Sequence, residues 1–209
     1  MKKDEVILVG AGGHALSLAE FAAERIRGYL GGSPNSEMPG EYMGTDEALF
    51  PLLEQGFPFH IAFIYSGLPR MERRRQLIEI YERAGARFAT LIAPSAIVTP
   101  RSAIGQGAAI MTGAIINRAK IGNHVVVNSG AIVEHDCSIG DNTFIGPGAV
   151  IGGFTAIGKN CFIGLGARIA NGLHITDNIT VAMGATVTRN LTEPGIYHGP
   201  SLKLFVPKS

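Results

Sequence analysis

Glu134-His135-Asp136 is the stretch of this chain best suited to chemistry. An unperturbed imidazole titrates near neutral pH, so it can accept a proton and return it. A carboxylate bonded to one ring nitrogen fixes the tautomer and stabilises the imidazolium. Asp136 is the first choice for that carboxylate and Glu134 the second. Cys137 stands two residues beyond His135, so a thiol–imidazole nucleophile is conceivable. From spacing alone, an exposed corner histidine flanked by acids reads as well. No cluster of cysteine, histidine or carboxylate has metal-ligand spacing, and no metal is expected.

A second candidate lies near the start. Val6-Ile7-Leu8-Val9 reads as a buried strand running into Gly10-Ala11-Gly12-Gly13-His14 and an apolar helical stretch to about Ile26. Such a turn aims backbone N–H groups and a helix N-terminus at an anion, typically a pyrophosphate. Near residue 30 the chain reads Tyr29-Leu30-Gly31-Gly32, with no acidic residue ending an obvious second strand, so NAD is disfavoured. The loop at 33–44 is irregular. A helix from Asp46 to about Gln55, capped by Thr45 or Asp46, a strand from His60 to Tyr65, a basic helix from Met71 to Ala84 and a strand from Arg87 to Ile92 follow. Alternating strands and helices imply a small parallel sheet. The run Arg70, Arg73, Arg74, Arg75 reads as a solvated helix face, and His60, His124, His174 and His198 as residues without chemistry.

His135 is positioned by a repeat. Aliphatic residues recur every six positions at Ile92, Val98, Ile104, Ile110 and Ile116. After one five-residue step they continue at Ile121, Val127, Val133, Ile139, Ile145, Ile151, Ile157, Ile163, Ile169, Ile175, Val181 and Val187. Six is neither the helical nor the strand period; held this long, it marks a solenoid. Three units make one triangular coil. Coils stack about 4.8 Å apart, so nearly six of them make a prism roughly 27 Å long. The aliphatic residue points inward. The residue four places later is small (Ala96, Ala108, Ala114, Ala131, Cys137, Ala149, Cys161, Ala167), which closes a corner and places both cysteines away from solvent. The residue after the aliphatic is often glycine, as at Gly105, Gly122, Gly140 and Gly158, expected for its backbone freedom. His135, two places after Val133, falls on an outward turn.

The chain has 209 residues, 17% charged and 46% hydrophobic, with formal net charge +1. That is a globular composition with ample core and no electrostatic signature for nucleic acid or an anionic membrane. The apolar run after Glu5 is too short for a signal peptide or a spanning helix, which points to the cytoplasm.

The two halves together resemble one family. A Gly-Ala-Gly-Gly-His turn opening a βαβ unit, joined to hexapeptide repeats carrying Val127-Asn128-Ser129-Gly130-Ala131-Ile132-Val133-Glu134-His135-Asp136-Cys137, is similar to the bacterial sugar acyltransferases of the NeuD and PglD type. The resemblance implies an α/β unit at 1–91 that binds a nucleotide sugar, a left-handed parallel β-helix at 92–192 and a tail at 193–209 near the coenzyme. It implies acetyl-CoA as co-substrate and a cytoplasmic homotrimer with sites between subunits. It makes His135 the general base and Asp136 the group that raises its basicity. The Gly153 amide would contact the acetyl carbonyl. Phe144, Leu165, Met183 and Lys203 would line the coenzyme, and Gly10, Gly12, Gly13 and His14 would meet the nucleotide sugar. Gly31, Gly32 and Tyr65 depart from the family's pocket; the glycine pair would leave only backbone to read the base. N-acetylation of a nucleotide-linked amino sugar is the expected reaction. Sugar O-acetylation, acyl transfer to a non-nucleotide acceptor and an inert trimeric scaffold are the alternatives.

Overall fold

The computed structural model describes residues 5–64, 68–199 and 203–205. Strand β1 (Val6–Val9) is buried along its whole length. Helix α1 (Gly13–Ala22) follows the glycine turn but ends four residues earlier than the apolar pattern suggests. A single 3-10 turn intervenes, and Ile26–Leu30 forms strand β2, parallel to β1. The apolar run is continuous across the break, so periodicity alone could not divide it. Pairing with β1 buries Ile26, Tyr29 and Leu30, which an exposed helix end would not. After β3 (Glu41–Tyr42), Thr45 caps a 3-10 turn that leads into α2 (Leu49–Glu54). Strand β4 (Phe59–Ile61) is shorter than expected, and Tyr65 lies outside the described residues. Helix α3 (Leu68–Arg83) starts three residues before the expected Met71. The sheet is parallel, in the order β3-β2-β1-β4.

The repeat builds a triangular prism with three parallel faces. Face 1 carries Leu91–Ile92, Ala109–Ile110, Val126–Val127, Phe144–Ile145, Phe162–Ile163 and Ile179–Val181. Face 2 runs from Ile97–Val98 to Thr186–Val187, and face 3 from Ala103–Ile104 to His174–Ile175. Registers such as Val127↔Ile145↔Ile163 stack the aliphatic ladder into one core. The small slots, Cys137 and Cys161 included, are buried inside it. The first rung departs from the pattern: Ile92 is 42% exposed, because no coil lies above it.

The glycines of the repeat serve two purposes, and the sequence pattern suggested only one. Those that follow the aliphatic position do not take left-handed backbone. Instead, a side chain at Gly158 would meet the Asp177 amide nitrogen at 2.7 Å and Thr176 at 2.8 Å in the next coil. The left-handed residues sit two places later, at each corner. They include Gly130, Asp136, Asn142, Gly148, Phe154, Asn160 and Gly166. Glycine, Asn and Asp tolerate that region; an aromatic such as Phe154 does so at a cost.

The N-terminal unit packs on face 1. Val6, Leu8 and Leu18 share one apolar cluster with Ala109, Met111, Val126, Phe144 and Phe162 of the prism. Among the described residues, no helix is long and apolar enough to cross a membrane.

Candidate active site

His135 and Asp136 occupy the corner between faces 2 and 3. Left-handed backbone at Asp136 (φ 59°) folds its carboxylate back onto the preceding ring, where Oδ2 lies 3.0 Å from His135 Nδ1. Arg118, one coil earlier on the same corner, donates to the other carboxylate oxygen at 3.2 Å. The hydrogen bond from His135, joined by the nearby charges of Arg118 and His135, holds the Asp136 carboxyl below the ordinary range. Glu134 points elsewhere. It accepts from Asn117 Nδ2 at 3.1 Å and from the His135 amide at 3.3 Å. The proton on Nδ1 is thus assigned by Asp136, and Nε2 keeps its lone pair.

The next coil supports the ring. A β-carbon at Gly153 would come within 2.9 Å of His135 Cε1 and Nε2, so only glycine leaves room for the imidazole. The Gly153 amide is left out of the backbone ladder. Phe154 donates its amide to the His135 carbonyl at 2.9 Å and sets its ring edge-on, with centroids 5.0 Å apart. Cys137 is buried; its thiol points to the Gly152 carbonyl, and burial raises its pKa. That removes the conditions a thiolate nucleophile needs.

The four residues expected at the coenzyme are not gathered in one chain. Leu165 and Met183 are exposed, one above the other, on the corner between faces 1 and 2. Phe144 is not open to a ligand: it stacks on Phe162 in the apolar seam beneath the N-terminal unit. Lys203 is exposed on a strand antiparallel to Gly195–His198 at the end of face 1.

The glycine turn does form a cleft. Gly10, Gly12, Gly13, His14, Gly31 and Gly32 line one cavity of about 670 Å³ together with Ser33 and Asn35. Gly10, Gly31, Gly32 and Phe63 also border a second cavity of about 480 Å³, whose other walls include Asp46, Arg73 and Gln76. Beside Gly31-Gly32 the second cavity thus carries those polar side chains in addition to backbone. Asp46 is held by Tyr81 at 3.1 Å.

Arg74 is the residue that sequence reading misplaced. It is fully buried, not on a solvated face. Its Nε donates to the Phe63 carbonyl at 3.0 Å, and Nη1 donates to the His124 carbonyl at 3.0 Å and to the Asn142 side chain. The signal was present: Met71, Arg74, Ile78 and Tyr81 share one helix stripe, and all are buried. Beside it are three histidines, His14, His60 and His124. His60 donates from Nδ1 to the Ala89 carbonyl, and burial followed by the charges of Arg74 and Arg25 brings it down to about 4. His124 lies edge-on to Phe88; burial, then Arg74, lowers it to about 3. Arg75, by contrast, pairs with Glu72 and Glu79 on the helix surface.

Residues 118–153 match the bacterial transferase hexapeptide family (six repeats), and residues 154–189 match the hexapeptide repeat of succinyl-transferase. The chain is similar over 96% of its length, at 30% identity and a TM-score of 0.85, to PerB from Caulobacter crescentus, solved with CoA and GDP-perosamine; 97% of that chain is covered. It is also similar to the acetyltransferase domain of PglB from Neisseria gonorrhoeae FA1090, solved with acetyl coenzyme A. There the identity is 29%, the TM-score 0.85, and 97% of this chain and 99% of that one are covered. WeeI from Acinetobacter baumannii AYE, at 20% identity and a TM-score of 0.74, shares the fold over 96% of this chain and 99% of its own.

Proposed function

The chain belongs to the left-handed β-helix sugar acetyltransferases, a CoA-dependent acyltransferase with acetyl-CoA as co-substrate, and we propose that it acetylates the amino group of a nucleotide-linked amino sugar. His135 takes the proton through Nε2 as the amine attacks the thioester carbonyl. Asp136 steadies the imidazolium through Nδ1. The thioester oxygen, as charge builds on it, is met by the Gly153 amide, which lies under the reacting edge of the ring and has no place in the ladder. The thiol of CoA leaves as the amide forms. The pairing of His135 with Asp136 at 3.0 Å, with Gly153 packed against Nε2, is the observation that carries this reading.

The acceptor belongs in the glycine-turn cleft, and the similar protein solved with GDP-perosamine supports a nucleotide-linked amine there. Within one chain, His135 sits on the corner opposite face 1, while the cleft belongs to the unit packed on face 1. A site that joins them draws on two copies, and we propose a homotrimer with closed symmetry.

A panel of UDP-, GDP-, CMP- and dTDP-linked 4-amino sugars with acetyl-CoA, read by thiol release, tests the reaction. The product should resist mild base, as an amide does and an ester does not. His135→Ala should lower kcat about 10²- to 10⁴-fold. Asp136→Asn should lose less, with the acidic limb of the profile moved to lower pH because the imidazolium loses its charge partner. Thiol release with no sugar on the panel, or a Cys137→Ala loss exceeding that of His135→Ala, would sink the proposal.

A further inference from the structure

The cleft offered to a nucleotide diphosphate has no cation on its described walls. Its lining is glycine, small polar residues, His14 and apolar side chains. His14 does not supply the charge: burial, followed by His60 and Arg74 nearby, pushes it down to about 3, so it is neutral at physiological pH. Its Nε2 is buried and has no partner. Turn amides and the start of α1 contribute partial charge only.

One full charge lies just behind that wall. Arg74 bonds to the carbonyl of Phe63, a cleft residue, and burial leaves its pKa at about 10, so it remains a cation. All its partners are neutral: two carbonyls and the Asn142 amide oxygen. Nη2 has none. A buried cation without a counter-ion is costly, and in a poorly polarisable interior its field reaches further than at a surface. A staple between domains needs no net charge; glutamine or methionine would serve without that cost. The charge itself therefore calls for a use.

We propose that Arg74 recognises the anionic diphosphate of the acceptor at the glycine turn, acting through its field from behind the cleft wall. The inference rests on the nucleotide-sugar reading above. It assigns the turn amides to hydrogen bonding and Arg74 to charge. His14 between them stays neutral and so adds no full cation of its own.

The test is calorimetry on the full chain with GDP against guanosine and UDP against uridine, with acetyl-CoA as the control for an intact prism. Wild type should prefer the diphosphate to the nucleoside. Arg74→Met should reduce that preference at least about tenfold, as removal of a full charge from a poorly polarisable surrounding does. Arg74→Lys should keep it within about threefold. Asn142→Asp sets a carboxylate against Nη1 at nearly the same shape, so it neutralises the site with Arg74 in place. It should reduce the preference in the same direction, and it decides the matter if Arg74→Met does not fold. An unchanged diphosphate-to-nucleoside ratio in Asn142→Asp, with acetyl-CoA bound normally, overturns the proposal. Wild-type affinity equal for diphosphate and nucleoside does so too. Failure of wild type to bind either nucleotide series while acetyl-CoA binds overturns the nucleotide-sugar reading beneath it.

Discussion

Phe154 is the residue whose presence propensity does not explain. Corner positions on the prism are otherwise filled by glycine, Asn, Asp, His and Arg, and Phe154 holds φ at 60° while 64% exposed. An L side chain there costs about 1–2 kcal/mol. An exposed edge-on aromatic contact offsets about 0.5–1 kcal/mol of it. The balance is a small local penalty kept beside the proposed base. We expect Phe154→Asn, which tolerates that backbone, to raise the thermal midpoint by a few degrees and lower kcat about tenfold, through a freer His135 ring. A melting scan and a turnover assay check this together; a variant that is both less stable and fully active would contradict it. Asp136 also uses the left-handed corner, but there the conformation has a use visible in the geometry, since it returns the carboxylate to the ring.

At the scale of elements, the two classes of glycine should respond differently to the same change. Gly158→Ala drives a methyl into the backbone of the next coil and should cost about 2–4 kcal/mol, in the range of overpacking with backbone shift. Gly166→Ala meets nothing within 4 Å and carries only the strain of φ 62°, about 1 kcal/mol. Denaturant midpoints of the two variants should fall in that order; the reverse order would mean that coil spacing adjusts freely. The six-residue period made the faces, the inward ladder and the corner place of His135 legible from sequence. It could not distinguish a glycine needed for φ from one needed for closeness, because both recur with the same period. Strand β2 was hidden by an apolar run shared with α1. The coenzyme role of Phe144 comes from the family resemblance alone, and nothing in the repeat period reveals the N-terminal unit that covers its slot. Arg74 was counted with its neighbours as one charge run, although its place in the Met71–Ile78–Tyr81 stripe already marked it as inward-facing.

For the whole molecule, face 2 is an apolar surface left without a cover. Ile97 is 57% exposed and Val150 36%, and Ile115 and Ile132 lie half-buried between them in the same stack. This apolar stripe borders the His135 corner, where a second copy would bring its own cleft. Val150→Arg should therefore convert the proposed trimer to monomer in light scattering at micromolar concentration and abolish turnover, with acetyl transfer recovering on mixing only if chains reassociate. A wild-type monomer at that concentration would contradict the assembly. The stacked architecture has a further consequence, for ancestry. Each coil touches only the coil before and after it, and the proposed catalytic corner is spelled by three consecutive coils through Arg118, Asp136 and Phe154. Coils beyond Thr176 meet none of those residues. Duplication of one eighteen-residue unit there would leave register, corner and acceptor unit as they are, whereas its loss would remove Met183 from the corner it shares with Leu165. Coil number in such a chain can grow like the length of a spacer, while any slip between residues 118 and 154 would part Arg118 from Asp136 and Gly153 from His135.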